Sequence, residues 1–179
     1  LEKLCTQLTG IRKKASRELV KKIKQGLEDL NFLDVEFDME FEKLDHFTPS
    51  GGDGAQFLIS TNPGQPMRPL KDVASGGELS RIMLAIKTVL ADSDDIPTQI
   101  FDEIDTGISG RTAQKVSEKL MLIAKSHQVI CITHLPQIAA MADSHFEIAK
   151  SASQGRTITT IRLLDRQASV EELARLLGG

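Results

Sequence analysis

Over residues 1–30, Leu1, Leu4, Leu8, Ile11, Ala15, Leu19, Ile23, Leu27 and Leu30 recur at steps of three or four, the spacing of one stripe on a helix. This predicts a long amphipathic helix whose seam runs evenly from its first residue, as in a helix arriving from a coiled coil. Over 34–42 the period becomes two: Val35, Phe37, Met39 and Phe41 alternate with Asp34, Glu36, Asp38, Glu40 and Glu42, predicting a half-buried strand. Carboxylates about 7 Å apart along a flat strand are too open to cage a hard cation and read as solvated. Residues 45–54 predict a hairpin loop, 56–61 the returning strand and 62–66 a further turn. After Pro69 helices are expected at 76–91, 110–126, 136–141 and 169–177, and strands at 98–102, 128–133, 145–149 and 157–163. That alternation predicts an α/β fold, with a mostly parallel sheet flanked by crossover helices. Ser169 and Glu172 form the expected capping box of the last helix, and Gly178-Gly179 its stop.

At 179 residues, one domain or two small ones can bury an ordinary core without disulfides or a structural metal. Two cysteines, Cys5 and Cys131, make no disulfide framework, and a reducing intracellular setting fits best. Cys131, inside the run Val129-Ile130-Cys131-Ile132, reads as a small buried thiol. The run from Ile82 to Ile86 stops at Lys87, far short of a membrane span. The chain opens with Leu1 rather than Met, carries no targeting signal, and is expected to be a segment of something longer. A net charge of −3 and the lack of Trp and Tyr argue against a generally basic nucleic-acid coat or a base-stacking platform. Residues 1–30 differ, with eight basic against four acidic residues, a net +4. Arg12, Lys13, Lys14, Arg17, Lys21, Lys22 and Lys24 there make either a solvated face or a track for a phosphate backbone.

Three segments can carry chemistry. In Ser75-Gly76-Gly77-Glu78, Ser75 and Glu78 predict a capping box. Two glycines at the first helical positions cost about 1 kcal/mol each against alanine, so a close approach by a backbone or a phosphate is the expected reason for them. Next, Gln99-Ile100-Phe101-Asp102-Glu103-Ile104-Asp105 is an apolar strand ending in carboxylates, at the sheet edge where ligands sit in open α/β folds. Adjacent strand residues point to opposite faces, so Asp102 and Glu103 are expected to divide their work, one toward Mg²⁺ and one toward a water nucleophile as general base. Third, the run 129–132 delivers His134 to the same edge, with Pro136 suited to the first turn of a helix. His46, His127 and His145 have no metal-ligand spacing, and Ser109 before Gly110 reads as a helix N-cap.

Together these segments resemble the ATPase heads of the ABC superfamily. Ser75-Gly76-Gly77-Glu78 is similar to its signature motif, Ile100-Phe101-Asp102-Glu103 to its Walker B strand and following glutamate, Asp105-Thr106-Gly107-Ile108-Ser109 to its D-loop, and His134 to its switch histidine. The closer resemblance, through 74–87 (ASGGELSRIMLAIK), 101–113 (FDEIDTGISGRTA) and 131–143 (CITHLPQIAAMAD), is to the RecN family of bacterial SMC-like DNA-repair ATPases. It covers residues 55–179; residues 1–54 match in character only.

The resemblance implies the C-terminal lobe of an ATPase head (31–179), preceded by a helix at the base of a coiled-coil arm (1–30). It implies Mg²⁺-dependent ATP hydrolysis between two heads: Asp102 on the metal, Glu103 polarising water, His134 sensing the γ-phosphate, and Ser75, Gly76, Gly77, Glu78 and Asp105 on the nucleotide. Implied partners are the N-terminal half of the same head, a second head in a homodimer, and DNA through Arg12, Lys13, Lys14, Arg17 and Lys21, in the cytoplasm near the nucleoid. The chain has no Gly-Lys dipeptide and hence no G-x-x-x-x-G-K-[ST] phosphate loop. The N-terminal half is expected to supply it, and the lobe alone to be inactive. Gln99 is polar where the Walker B strand is usually apolar, so burial is expected only in the strand's second half. Two alternatives are another SMC-type, chromosome-organising head and a non-catalytic DNA-binding module.

Overall fold

The computed structural model describes residues 1–73, 75–153 and 156–178. Helix α1 (Glu2–Asp29) follows the predicted stripe. Its end is sequence-encoded: Asn31 takes a left-handed φ of 71°, the Asn31 amide donates to Glu28 O and the Phe32 amide to Leu27 O, the paired bonds of a Schellman stop. Phe32 then turns into the core.

Strands β1 (Glu36–Thr48) and β2 (Gly51–Ser60) form an antiparallel hairpin, and the short β3 (Arg68–Pro69) pairs with β2. The ladder runs through residues expected to be loop and turns only at Pro49-Ser50, with a register shift between Lys43 and Thr48. Asp34, Glu36, Asp38, Glu40 and Glu42 are all exposed, as solvation requires. On the opposite face Phe37 meets Phe57, ring centroids 5.2 Å apart.

The second half holds α2 (Gly76–Leu90), β4 (Thr98–Phe101), α3 (Gly110–Ala124), β5 (Gln128–Cys131), α4 (Pro136–Ala139), β6 (Phe146–Ser153), β7 (Arg156–Leu163) and α5 (Arg166–Leu176). The α/β character is as predicted, but among the described residues only β4 and β5 are parallel. Strands β6 and β7 form an antiparallel hairpin, because the few residues joining them cannot hold the dozen or more that a crossover needs. Helix α5 starts earlier than expected: Asp165 is its N-cap, accepting from the Ala168 amide, while Ser169 Oγ lies 2.9 Å from His145 Nδ1. Gly179, half of its expected stop, lies outside the described residues.

The core lies where the C-terminal turns of α1 (Ile23, Leu27, Leu30) meet Phe32, Val35, Phe37 and Ile59, α2 (Ile82, Leu84, Ala85, Ile86), α3 (Ala113, Val116, Leu120, Ile123), Phe101 and Ile104. Each Val, Leu, Ile or Phe side chain among them contributes about 1.5–3 kcal/mol by leaving water. At the other end of α1, Leu1, Leu4 and Ile11 are exposed. Strand β4 turns Gln99 and Phe101 inward and Ile100 outward, so burial begins at Gln99 itself. Gln99 Nε2 donates to Asp94 Oδ2 (3.1 Å). Asp94 also pairs with Lys87 and takes the Ile96 amide, and its carbonyl meets His127 Nε2 (3.0 Å).

Candidate nucleotide site on the head lobe

The site forms where α2 begins and where β4 and β5 end. Ser75 caps α2, its hydroxyl accepting from the Glu78 amide at 3.4 Å; Ala74 lies outside the described residues. Strand β4 stops at Phe101 and the chain turns sharply: Glu103 has φ 56°, a left-handed conformation costing a non-glycine residue about 1–2 kcal/mol. The expected strand alternation of Asp102 and Glu103 is therefore replaced by a turn. Asp102 Oδ1 accepts the Glu103 amide (2.8 Å), and both carboxylates are exposed.

Helix α2 holds that turn in place. Ser80 Oγ donates to Asp102 O (2.6 Å), and Arg81 Nη1 donates to Thr106 O (2.8 Å) and Ile104 O (3.4 Å). The Arg81 guanidinium is buried and stacks 5.7 Å from the Phe32 ring centroid. Burial pulls its pKa down and Glu78 opposes that shift. Neither Ser80 nor Arg81 stood out in the sequence. Their signal was spacing: each lies four residues after one of the two glycines, on the same helix face.

The glycines have a reason within the chain. A Cβ on Gly77 would stand 2.9 Å from Thr106 Cβ and 3.0 Å from Glu103 O, and a Cβ on Gly76 would overlap Glu103 Oε2. Their bare surface lets the 103–106 turn pack onto the first turn of α2.

Asp105 joins the two strand exits. It is 4% exposed, and its Oδ2 accepts from Thr133 Oγ1 (2.6 Å) and the His134 amide (2.7 Å) and lies 3.0 Å from His134 Nδ1. The His134 side chain is 71% exposed. Cys131, partly rather than fully buried, sits just below; burial first, then Asp105 and Asp102, pushes its thiol up to about 12. The start of α2, the 102–106 turn and residues 133–134 are thus tied together, with Ser75, Gly76, Asp102, Glu103 and His134 exposed, Glu78 half-buried and Asp105 buried. Among the described residues no three His, Cys, Asp or Glu side chains converge as a metal cage.

The basic residues of α1 divide. Arg12 pairs with Asp53 (2.9 Å) and donates to Ser50 O (2.6 Å), anchoring the hairpin tip, and Lys13 Nζ lies 6.0 Å from the Phe41 ring centroid. Lys14, Arg17, Lys21 and Lys24 are exposed at steps of three and four, opposite the buried stripe. No described helix is long and apolar enough to cross a membrane.

No protein-family model matches the chain. It is 45% identical over its whole length to the DNA repair protein RecN of Halalkalibacterium halodurans and 44% identical over 96% of its length to that of Bacillus subtilis; it covers 32% of each. Among solved structures, the Smc head domain of Pyrococcus yayanosii, with a coiled coil and joint, aligns with 92% of this chain and 30% of its own at a TM-score of 0.57 and 21% identity. An SMC ATPase chain solved in work on ATP-driven dimerization and DNA stimulated activation aligns over 95% of this chain and 98% of its own, at a TM-score of 0.53 and 18% identity. These likenesses show the fold of an SMC-type head. Aligned over nearly its whole length at 44–45% identity, the chain is similar to the DNA repair proteins named RecN and spans about a third of their length.

Proposed function

We propose that this chain is the C-terminal lobe of an ATP-hydrolysing head acting in DNA double-strand break repair and recombination, with 31–179 as the lobe and 1–30 as the base of a coiled-coil arm. The observation that carries the reading is the joining of α2, the 102–106 turn and the end of β5 into one surface by Ser80, Arg81 and Asp105. A signature-like helix start, two exposed carboxylates and an exposed imidazole are thereby held in fixed relation.

In this reading Asp102 is the residue for Mg²⁺. An exposed carboxylate without a cage around it fits an ion that keeps waters and shares substrate phosphates. Bound there, Mg²⁺ would neutralise charge developing on the phosphates. Glu103, exposed beside Asp102, accepts a proton from the attacking water as general base. His134 meets the γ-phosphate. Ser75, Gly76, Gly77 and Glu78 present the positive end of α2 to ATP held by a second head, so an intrachain packing reason and a ligand reason coexist at the two glycines. The phosphate-cradling loop comes from the N-terminal half of the same head. Exposed Lys14, Arg17, Lys21 and Lys24 offer DNA a track along the arm base, with Arg12 and Lys13 in supporting rather than free positions. The working compartment is the cytoplasm, at the nucleoid.

The test is ATPase turnover of the chain alone and after co-expression with the N-terminal half. Activity confined to the assembled pair, and lost in Glu103→Gln, is the expected result. Turnover by the lobe alone, or none in a well-folded pair, would refute the reading.

A further inference from the structure

Asp105 differs from its neighbours Asp102 and Glu103 in being withdrawn from solvent. One of its oxygens receives the Thr133 hydroxyl and the His134 amide and faces His134 Nδ1 at 3.0 Å. Two of these contacts are hydrogen bonds with a fixed direction; the third is a close approach of the ring nitrogen to the carboxylate. Thr133 Oγ1 already accepts the Leu135 amide (3.0 Å), so its proton goes to Asp105. A carboxylate oxygen 3.0 Å away repels a bare lone pair, which puts the proton on the ring nitrogen facing it. A neutral imidazole protonated at Nδ1 has a bare lone pair at Nε2, the nitrogen left free on this largely exposed ring.

We propose that Asp105 is a positioning residue for His134: it holds the imidazole as the Nδ1–H tautomer. The free Nε2 then meets a ligand either as a proton acceptor or, once protonated, as a charged donor, and never as a neutral N–H donor. A phosphate oxygen at Nε2 would therefore be bonded only by imidazolium, a charge-assisted contact that the buried carboxylate behind the ring supports. This places Asp105 behind His134 within its own chain instead of on the nucleotide. Its functional weight rests on the proposed role of His134; the tautomer does not.

The test is two-bond ¹⁵N–¹H correlation on the chain labelled at histidine, with pH raised until the ring is neutral. The expected spectrum shows a protonated Nδ1 and a bare Nε2. Asp105→Asn keeps an acceptor oxygen and should keep that tautomer, while Asp105→Ala removes it and should shift the majority to Nε2–H. A wild-type Nε2–H ring, or an unchanged tautomer in Asp105→Ala, would overturn the assignment. Should Asp105→Ala fail to fold, the wild-type and Asp105→Asn spectra decide. An Nδ1–H ring in a chain whose assembled form hydrolyses no ATP would refute the proposed function and leave this assignment standing.

Discussion

Three glycine-to-alanine substitutions separate the physical causes at the site. At Gly26, in the C-terminal part of α1 away from the site, a new Cβ would lie 3.5 Å from Ala85 Cβ, an ordinary contact. The lower entropy of the unfolded chain should then dominate, stabilising by about 0.5–1 kcal/mol and raising Tm by roughly 1–4 °C for a chain of this size. At Gly77 the obstacle is Thr106 Cβ at 2.9 Å and backbone Glu103 O at 3.0 Å. Overpacking of that kind costs about 1–3 kcal/mol, offset by up to about 1 kcal/mol of helix propensity. A net loss of about 1 kcal/mol follows, with Tm falling by roughly 2–4 °C. At Gly76 the overlap is with Glu103 Oε2, the end of a flexible side chain. Glu103 can swing away, so stability should stay within about 0.5 kcal/mol, yet hydrolysis in the assembled protein should fall because the proposed base has moved. Thermal melts by circular dichroism on the wild type and the three variants measure all of this. If Gly77→Ala proves as stable as Gly26→Ala, the packing of the 103–106 turn onto α2 is not the reason for glycine there.

Other consequences are independent. The Lys87 hydrogen bond, followed by the Ile96 amide, holds the Asp94 carboxyl below its ordinary value of 3.8. Its contribution is complete above that value and is lost as pH falls through the lower folded one, so the Tm gap between wild type and Asp94→Asn should be constant near neutrality and close in strong acid. Cys131, with its thiol pushed up to about 12, should resist alkylation at neutral pH until the chain unfolds; mass spectrometry of iodoacetamide-treated protein would reveal early labelling if burial does not govern it. Charge reversal at Lys14, Arg17 and Lys21 should weaken DNA binding by the assembled protein across all sequences and flatten its salt dependence by about 0.9 in log–log slope per lost phosphate contact. An unchanged slope would remove α1 as the track.

Much of the fold was legible because its signals are local. The stripe of α1, the alternation of β1 and the capping of α2 by Ser75 each depend on residues within a few positions. The antiparallel β6–β7 hairpin departs from the mostly parallel sheet expected, although the short joint between the two strands argued for it. Helix α5 began at Asp165 because that carboxylate reached an amide before Ser169 could. At the candidate site, Ser75, Asp102, Glu103 and His134 were singled out from motif and position, and they lie at the start of α2 and beyond the ends of β4 and β5. The supports were not: no motif marks Arg81, and only the tertiary meeting of α2 with the 102–106 turn buries it. Arg12 was counted among DNA-facing cations, and Asp53, 41 residues away, claims it.

The most direct test of the central claim is the mass, by light scattering, of the Glu103→Gln chain co-expressed with its N-terminal half, with and without ATP and Mg²⁺. A head that binds ATP but cannot hydrolyse it should accumulate as a stable two-head assembly only when ATP is present, and a Ser75→Arg variant should abolish that doubling. An ATP-independent mass, or doubling that survives Ser75→Arg, would contradict the account.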